Sequence, residues 1–244
     1  MVRIIPALFL SLCFATYTFG FSKIKEIPVP QGYARINYDS GSFSAYLQHL
    51  PLKSENAILK WNGEKVIGLL YNVYAVVNKP LLFKADLEQC ADFCMRFWGD
   101  YHQSRNKLND LYLFDYNGRK KYFKDSQKGY RNYVKWHMAY SNSHSLKKGA
   151  MAITGSILQP GDMFVQNTDG GIGHVSMIVD AAQNQDGQMV YLIGYGFIPA
   201  QEFHIEKARK GYGMDGWFTR EGYEKYLSEF PFGSYGAPVL RRFE

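Results

Sequence analysis

The sequence predicts an α+β domain in which helices come first and an antiparallel meander of strands follows. Residues 86–103 and 130–140 carry apolar side chains at helical spacing, which predicts two helices. The C-terminal half instead contains short β-rich segments separated by Gly, Pro or Asp-Gly, a pattern typical of strands. These predicted strands cover residues 162–166, 174–180, 189–195 and 202–206.

Length and composition agree with one globular domain. The chain has 244 residues, of which 46% are hydrophobic and 20% are charged. These fractions exclude a disordered or collagen-like chain. A single core can bury most of the apolar surface at this length, and no linker interrupts the pattern. Residues 21–244 are therefore predicted to form a single domain.

The first twenty residues predict export. Arg3 precedes an almost wholly apolar run over residues 4–15, and Thr18 to Gly20 offer small residues at a cleavage site. This pattern is typical of a secretory signal peptide covering residues 1–20. The apolar run is too short for stable membrane insertion. Leu12 occupies the position before Cys13 where a lipoprotein signal has a small residue, which disfavours a lipid anchor. The expected location is periplasmic or extracellular.

The chain carries a formal net charge of +6, with basic residues in short pairs and no long basic run. One interpretation is a solvated, mildly cationic surface. The other is attraction to an anionic polymer such as a cell-wall glycan or to lipid head groups. No nucleic-acid-binding module is present in the sequence, so no nucleic-acid partner is expected.

Local signals justify the remaining elements in order. Residues 42–50 suit a short helix that Pro51 stops. Asn62-Gly63 and Asn117-Gly118 each separate two β-rich segments and predict hairpin turns, between residues 57–61 and 66–71 and between residues 111–114 and 121–123. In the helix at 86–103, Asp86 is the predicted N-cap and Gln89 completes a capping-box-like pattern.

Cys90 is the first candidate for chemistry, because it lies in the first turn of this helix on its apolar face. Backbone N–H groups and the helix dipole lower the pKa of a thiol at that end and favour a nucleophilic thiolate. The alternative is a small buried core residue. Cys94 lies one turn later and is expected to be a core cysteine. Two cysteines four residues apart on one helix are poorly placed for a disulfide.

His174 is the second candidate. It opens a predicted strand behind a glycine-rich segment, where it can face a cleft and act as a general base. The alternative is a surface or edge histidine. His204 alternates with apolar neighbours and is expected to face away from the core. Histidine pairs with zinc-site spacing and the His-Glu-x-x-His motif are absent from the sequence, so no metal is expected. The sequence also lacks a P-loop and a dinucleotide-binding fingerprint, and no other cofactor is expected.

Three features occur in a fixed order: a Cys near a helix start, Pro160-Gly161-Asp162 before a hydrophobic strand, and Gly173-His174-Val175 opening the next strand. This order resembles the NlpC-type cysteine peptidases. The resemblance implies a papain-like fold, in which the cysteine-bearing helix packs on an antiparallel meander. It also implies hydrolysis of peptide or amide bonds in bacterial cell walls by a Cys–His pair.

A resemblance to the family DUF4846, exported Bacteroidetes proteins of unknown function, covers most of the chain after residue 20. It rests on residues 86–92 with Met95 and Arg96, on the Pro160-Gly161-Asp162 and Gly173-His174 strands, and on residues 198–205 and 240–243.

Two departures from the peptidase pattern concern the residues around the Cys–His pair. Gln89-Cys90-Ala91-Asp92 replaces the usual Asp-Cys-Ser/Gly, and the strand after His174 contains no histidine. Gln201 is the first candidate for orienting His174, and Tyr195 and Glu202 are weaker ones. Asp92 and Arg96 lie one turn apart and are expected to form an ion pair, with substrate binding as the alternative role. Tyr195 and Glu202 are also candidate substrate-binding residues.

Two functional hypotheses follow. In the first, the protein is an exported cysteine amidase or peptidase in which Cys90 attacks a cell-wall amide and His174 protonates the leaving amine. In the second, the same fold acts without turnover as a binding module for peptidoglycan-derived peptide or glycan, or for a protein partner. The sequence leaves the substrate and the oligomeric state open.

Overall fold

A computed structural model of the protein describes residues 20–67, 71–155 and 157–244. Its mixed α and β structure, with a large antiparallel sheet and few helices, agrees with the predicted fold class at that level. The predicted signal peptide lies outside the described residues except for Gly20.

The helices are short apart from the one that carries Cys90. None of the helices in the described ranges is long and apolar enough to cross a membrane. They are α1 (Phe43–Gln48), α2 (Cys90–Ser104), α3 (Tyr130–Tyr140), α4 (Ser143–Gly149) and α5 (Arg220–Ser228). Single turns of 3₁₀ helix occur at Ile24–Glu26, Phe123–Asp125 and Phe232–Tyr235.

The strands are unequal in length, and the longest ones form the centre of the main sheet. In chain order they are β1 (Tyr33–Arg35), β2 (Val73–Val76), β3 (Tyr112–Phe114), β4 (Lys120–Tyr122), β5 (Met151–Ala152), β6 (Met163–Gln166), β7 (His174–Asn184), β8 (Met189–Tyr195), β9 (His204–Glu206), β10 (Gly213–Met214), β11 (Trp217–Phe218) and β12 (Val239–Arg242). The hairpin β3–β4 stands apart from this sheet.

Strands β6, β7 and β8 are consecutive antiparallel neighbours, as the meander pattern predicts. Gln166 lies opposite His174, and Ile178 lies opposite Ile193. On one side β12 joins β6 to β5, and on the other side both β9 and β11 pair with β8. Strand β1 extends the pairing of β7 near its end, and β2 pairs with β9.

The sheet has a hydrophobic core on each face. Alternate residues of a strand point to opposite faces, and β7 is buried from His174 to Ala182, so both of its faces are covered. Val175 and Met177 belong to the core that contains Phe93 and Cys94 of α2. Residues of β6, β7 and β8 on the other face pack against α5 and the 3₁₀ turn that follows it; they are Phe164, Ile178, Ile193 and Tyr195.

Helix α2 begins at Cys90, four residues later than its predicted N-cap. The prediction that Asp86 caps the helix is wrong, because the Asp86 carboxylate accepts hydrogen bonds from Ala200 N–H (2.7 Å) and from Gln89 Nε2 (3.0 Å). Gln89 is the N-cap residue, and its N–H donates to Asp92 Oδ2 at 2.8 Å. Cys90 is consequently the first helical residue, next to the N–H groups that a helix leaves unpaired.

The two predicted hairpins have different outcomes. Asn117-Gly118 connects β3 and β4 as predicted, with Gly118 at a φ of +80° that suits glycine. Asn62-Gly63 also forms a turn, closed by a hydrogen bond from Lys60 N–H to the Glu64 carbonyl. The residues on either side make a single bridge, Leu59 to Lys65, rather than two paired strands, and residues 68–70 of the predicted hairpin lie outside the described residues.

Candidate functional site

An open cleft of about 350 Å³ lies at the start of helix α2. One wall comes from the helix start and the residues before it, and the opposite wall comes from the α3–α4 junction and the loop before β7. Ile172 and Ile198 are exposed at 69% and 39% and give the cleft apolar rims. The remaining lining residues are Asp86, Leu87, Gln89, Cys90, Ala91, Asp92, Met138, Ala139, Ser141, Asn142, Ser143, Gly171 and Gly173.

Cys90 lines this cleft but is only 6% exposed, and its thiol is free. Its Sγ lies 4.0 Å from the Gly173 carbonyl oxygen at the start of β7. Burial raises the pKa of the Cys90 thiol to about 11, and hydrogen bonding from the Val175 and Ala91 N–H groups opposes that rise. With this raised pKa, the Cys90 thiol is mainly protonated at neutral pH. The thiolate is the nucleophilic form, so this environment does not activate Cys90.

His174 lies on the face of the sheet opposite to helix α2. Its ring packs against the rings of Tyr195, Phe197 and Phe232, with the Phe232 centroid 4.4 Å away. The residue is fully buried, and neither ring nitrogen has a hydrogen-bond partner among the described residues. Burial, helped by the nearby His204, lowers the pKa of His174 to about 3. The structure therefore does not join His174 to the Cys90 thiol, and the catalytic roles of both residues stay predictions.

The candidates for orienting His174 have other partners. Gln201 is buried and donates from Nε2 to the Tyr71 hydroxyl at 3.0 Å. Glu202 forms an ion pair with Lys53 at 2.7 Å and accepts from Leu59 N–H at 2.9 Å. These contacts anchor the segment before β9 and leave the predicted roles of Gln201 and Glu202 in catalysis or substrate binding untested.

Tyr195 belongs to a buried polar cluster rather than to the cleft. Its hydroxyl lies 2.7 Å from the Tyr226 hydroxyl and donates to Glu206 Oε2 at 3.1 Å. His204 is fully buried beside the same carboxylate, with Nε2 at 3.6 Å from Glu206 Oε2. His204 does point away from the core that contains Phe203 and Ile205, but the side it faces is also buried, because its ring packs against Tyr71 and Tyr195 at centroid distances of 4.8 and 4.5 Å.

The predicted ion pair between Asp92 and Arg96 is not formed. Arg96 is buried and pairs with Glu88 at 2.5 Å, with Asp100 at 3.5 Å and with the Pro80 carbonyl at 2.9 Å. Glu88 comes from the loop before the helix, so the partner of Arg96 lies eight positions away in the sequence. These contacts give Arg96 a structural role, and Arg96 does not line the cleft. Its predicted role in substrate binding stays a prediction.

Asp92 lines the cleft, and its predicted role in substrate binding stays a prediction. Its Oδ2 accepts from Gln89 N–H, and its buried Oδ1 has no hydrogen-bond partner among the described residues. Burial raises the pKa of Asp92 well above its ordinary value, and this outweighs the Gln89 hydrogen bond. Burial therefore favours the uncharged forms of both the Cys90 thiol and the Asp92 carboxyl at the floor of the cleft.

The opposite wall of the cleft is the part that sequence patterns did not point to. Asn142 caps α4 by accepting from His144 N–H at 2.9 Å, and its Nδ2 donates to the Gly170 carbonyl at 3.4 Å. Asn167 holds the glycine loop by accepting from Gly170 N–H at 2.7 Å and donating to Ser143 Oγ at 2.9 Å. The Asn142 cap of α4 is a signal that the sequence does contain.

The fold and the cleft define an α+β protein in which a helix-borne cysteine meets a cleft at one end of an antiparallel sheet. The chain belongs to the family described as Domain of unknown function (4846), DUF4846, whose profile matches residues 24–136 and 114–236 as two overlapping segments. This match confirms the resemblance to DUF4846. A comparison with curated proteins and a comparison with solved structures found no similar protein.

Proposed function

We propose that this DUF4846 protein is an exported binding protein that holds a cell-wall peptide or glycan fragment in the Cys90 cleft without covalent turnover. The observation that carries the proposal is the position of His174. A base for Cys90 must lie within hydrogen-bond reach of the thiol. The His174 ring is instead enclosed by aromatic rings on the opposite face of the sheet.

The chemistry of the cleft supports a neutral polar ligand. Burial favours the uncharged forms of Cys90 and Asp92 at its floor. Hydroxyl and amide side chains on the opposite wall can exchange hydrogen bonds with peptide groups, acetamido groups or sugar hydroxyls. They are the half-buried Asn142 and the more deeply buried Ser141 and Ser143, whose hydroxyls also bond to the Phe114 carbonyl and the Asn167 amide. The apolar rims at Ile172 and Ile198 can cover the aliphatic parts of the same ligand.

The dimensions of the cleft agree with this proposal. Ligand-binding pockets span about 300–1,000 Å³, and a volume of about 350 Å³ lies at the small end of that range. Such a volume holds one or two peptide or sugar units. The remainder of a longer wall fragment would extend past the open rim.

A second function is favoured by the position of Cys90 at the first residue of α2. In this candidate the protein is a papain-like, NlpC-like cysteine amidase. The thiolate forms a thioester with the substrate carbonyl, the C–N bond breaks, the amine leaves with the thiol proton, and water hydrolyses the thioester. The N–H groups of Val175 and Ala91, which hydrogen-bond to Sγ, would favour the thiolate. This candidate requires His174 to leave its aromatic surroundings.

Binding and hydrolysis are separated by offering the protein soluble disaccharide-peptide fragments of peptidoglycan. Titration calorimetry measures binding, and mass spectrometry of the same mixture measures hydrolysis. Ala139, which is exposed and lines the cleft, is replaced in Ala139→Trp to fill it, and Ala34→Trp on the exposed side of β1 is the matched control. The proposal expects binding that Ala139→Trp weakens at least tenfold and Ala34→Trp does not change, with the fragment recovered intact.

Three results would contradict the proposal. Hydrolysis that disappears in Cys90→Ala would establish the amidase instead. Absence of binding to every fragment, or equal weakening by Ala139→Trp and Ala34→Trp, would exclude this cleft as the site for wall fragments.

A further inference from the structure

A second cavity, of about 560 Å³, lies on the side of the β3–β4 hairpin and α3. Its lining combines lysines with aromatic rings. The lining residues are Lys120, Lys121, Tyr122, Asp125, Ser126, Lys128, Tyr133, Trp136 and His137. We call this cavity the lysine–aromatic groove. Both cavities are lined in part by residues of α3, but they share no lining residue.

The segment that supplies the lining of this groove is strongly basic. Residues 119–136 contain seven Lys or Arg and one Asp, so this segment carries the full formal net charge of +6 and the rest of the chain is balanced. Three of these basic residues, Lys120, Lys121 and Lys128, line the groove, whereas Arg131 and Lys135 lie over the Phe83 ring outside its lining. Concave surfaces lined by one sign of charge strengthen the local potential for an oppositely charged ligand.

The lysines of the groove are weakly neutralised by the protein. Lys120 lies 3.8 Å from Glu244 and Lys121 lies 3.5 Å from Asp115, and both lysine side chains are at least one third exposed. Ion pairs at such exposed positions contribute little. Lys128 forms no ion pair with a carboxylate of the described residues. Asp125 is the carboxylate in the lining, so an anionic ligand meets an excess of ammonium groups.

The aromatic side chains define what kind of anion fits. Trp136 is 39% exposed, and its ring lies 5.2 Å from the ring of Tyr140, which is 62% exposed. Tyr122 is 37% exposed on the strand that carries Lys120 and Lys121. Exposed rings with polar tips give flat surfaces for stacking and partners for hydrogen bonds. The large exposed hydrophobic side chains here are aromatic rather than aliphatic, unlike those a membrane-inserting surface presents.

We infer that the lysine–aromatic groove binds an acidic polysaccharide, with its carboxylate groups on Lys120, Lys121 and Lys128 and one sugar ring stacked on Trp136. This site is separate from the Cys90 cleft and does not depend on the function proposed for that cleft. His137 adds no charge to it, because burial lowers the pKa of that ring to about 4.

The test uses the purified protein and defined oligogalacturonates, with a neutral dextran oligomer of equal length as the uncharged probe. The triple variant Lys120→Gln, Lys121→Gln, Lys128→Gln removes three charges from the groove. The matched control removes three exposed lysines elsewhere, as Lys23→Gln, Lys65→Gln and Lys210→Gln. The inference expects oligogalacturonate binding at least tenfold weaker in the groove variant, a less than threefold change in the control, and no binding of dextran.

Trp136 provides an independent arm of the test. Trp136→Ala should weaken oligogalacturonate binding several-fold, and Trp136→Phe should keep most of it, because a smaller ring still offers a stacking face. The affinity for oligogalacturonate should also fall when the salt concentration rises from about 20 to 150 mM, because salt screens attraction between exposed charges.

Several results would overturn the inference. Equal losses in the groove and control triple variants would mean that net charge alone governs binding. No binding of oligogalacturonate would exclude the ligand class. Tighter binding of anionic phosphatidylglycerol vesicles, or of a single-stranded oligonucleotide, would assign the groove to a membrane surface or to nucleic acid.

Discussion

His174 is enclosed without a hydrogen-bond partner for either ring nitrogen, and this predicts an unusual response to substitution by phenylalanine. A buried polar group without a partner costs about 1–3 kcal/mol. His174→Phe removes two such atoms and keeps a ring against Tyr195, Phe197 and Phe232. We therefore expect the variant to be at least as stable as the natural protein at pH 7, with a gain of about 1–2 kcal/mol after allowance for the larger ring.

The same substitution should reduce the sensitivity of the protein to acid. The pKa of His174 is lowered from 6.5 to about 3 in the folded state, so the unfolded state binds a proton at a higher pH than the folded state does. The contribution of His174 to the free energy of unfolding is therefore fully present above pH 6.5. It is lost as the pH falls from 6.5 towards 3, because protonation of this ring favours the unfolded state. Between pH 7 and pH 4 this amounts to about 3 kcal/mol for His174 alone.

The assay is denaturant unfolding at pH 7, 5.5 and 4, followed by tryptophan fluorescence. Other groups that titrate in this range act in both proteins, so the difference between their pH dependences isolates His174. His144→Phe, at a half-buried ring beside Tyr116, is the matched control for the replacement of a histidine ring by phenylalanine. Destabilisation of His174→Phe by more than about 2 kcal/mol at pH 7, or an acid sensitivity equal to that of the natural protein, would refute this reasoning.

Further predictions concern the residues that build the cleft. Arg96→Gln should destabilise the protein by about 3–5 kcal/mol, because it leaves the buried Glu88 carboxylate uncompensated, and thermal unfolding measures the loss. An Arg96→Gln protein of unchanged stability would contradict the structural role of this ion pair. Gly173→Ala should cost about 1–3 kcal/mol or more, since an added Cβ would lie 2.2 Å from the Gln166 carbonyl oxygen. Gly171→Ala in the same loop meets its nearest atom at 3.3 Å and should be tolerated, so equal losses in the two variants would count against this packing.

Local patterns predict the elements whose signals lie within one stretch of chain. The predicted helix at residues 130–140 coincides with α3 (Tyr130–Tyr140), and the Asn117-Gly118 turn connects β3 and β4. Strand β8 occupies the predicted residues 189–195. In each case the apolar spacing or the turn residues that predict the element lie within the element itself.

The start of α2 could not be predicted from local patterns because its determinants are distant in the sequence. Asp86 has the properties of an N-cap, but its carboxylate holds Ala200 N–H, 114 residues away. Arg96 likewise pairs with Glu88 outside the helix rather than with Asp92 one turn away. Tertiary contacts such as these override local capping and spacing preferences.

The orientation of His174 could not be predicted because β7 is buried on both faces. A strand with one solvated face reveals its core side through alternation, whereas a doubly covered strand does not. Val175 and Met177 face α2, so His174 and Ser176 face α5. A histidine at the start of such a strand can face either α2 or α5. Only the packing of α2 against Val175 and Met177 shows which side His174 takes.

The most direct test of the account is the rate of Cys90 alkylation by iodoacetamide as a function of pH, with Cys90 followed individually by peptide mapping. Cys90→Ala carrying Ser40→Cys at an exposed position provides an ordinary thiol for comparison. A thiol with a pKa of about 11 should react about 100-fold more slowly at pH 8 than this reference, and His174→Ala should not change the rate. Rapid labelling of Cys90 at pH 6–7 that is lost in His174→Ala would contradict the account and establish a Cys90–His174 pair.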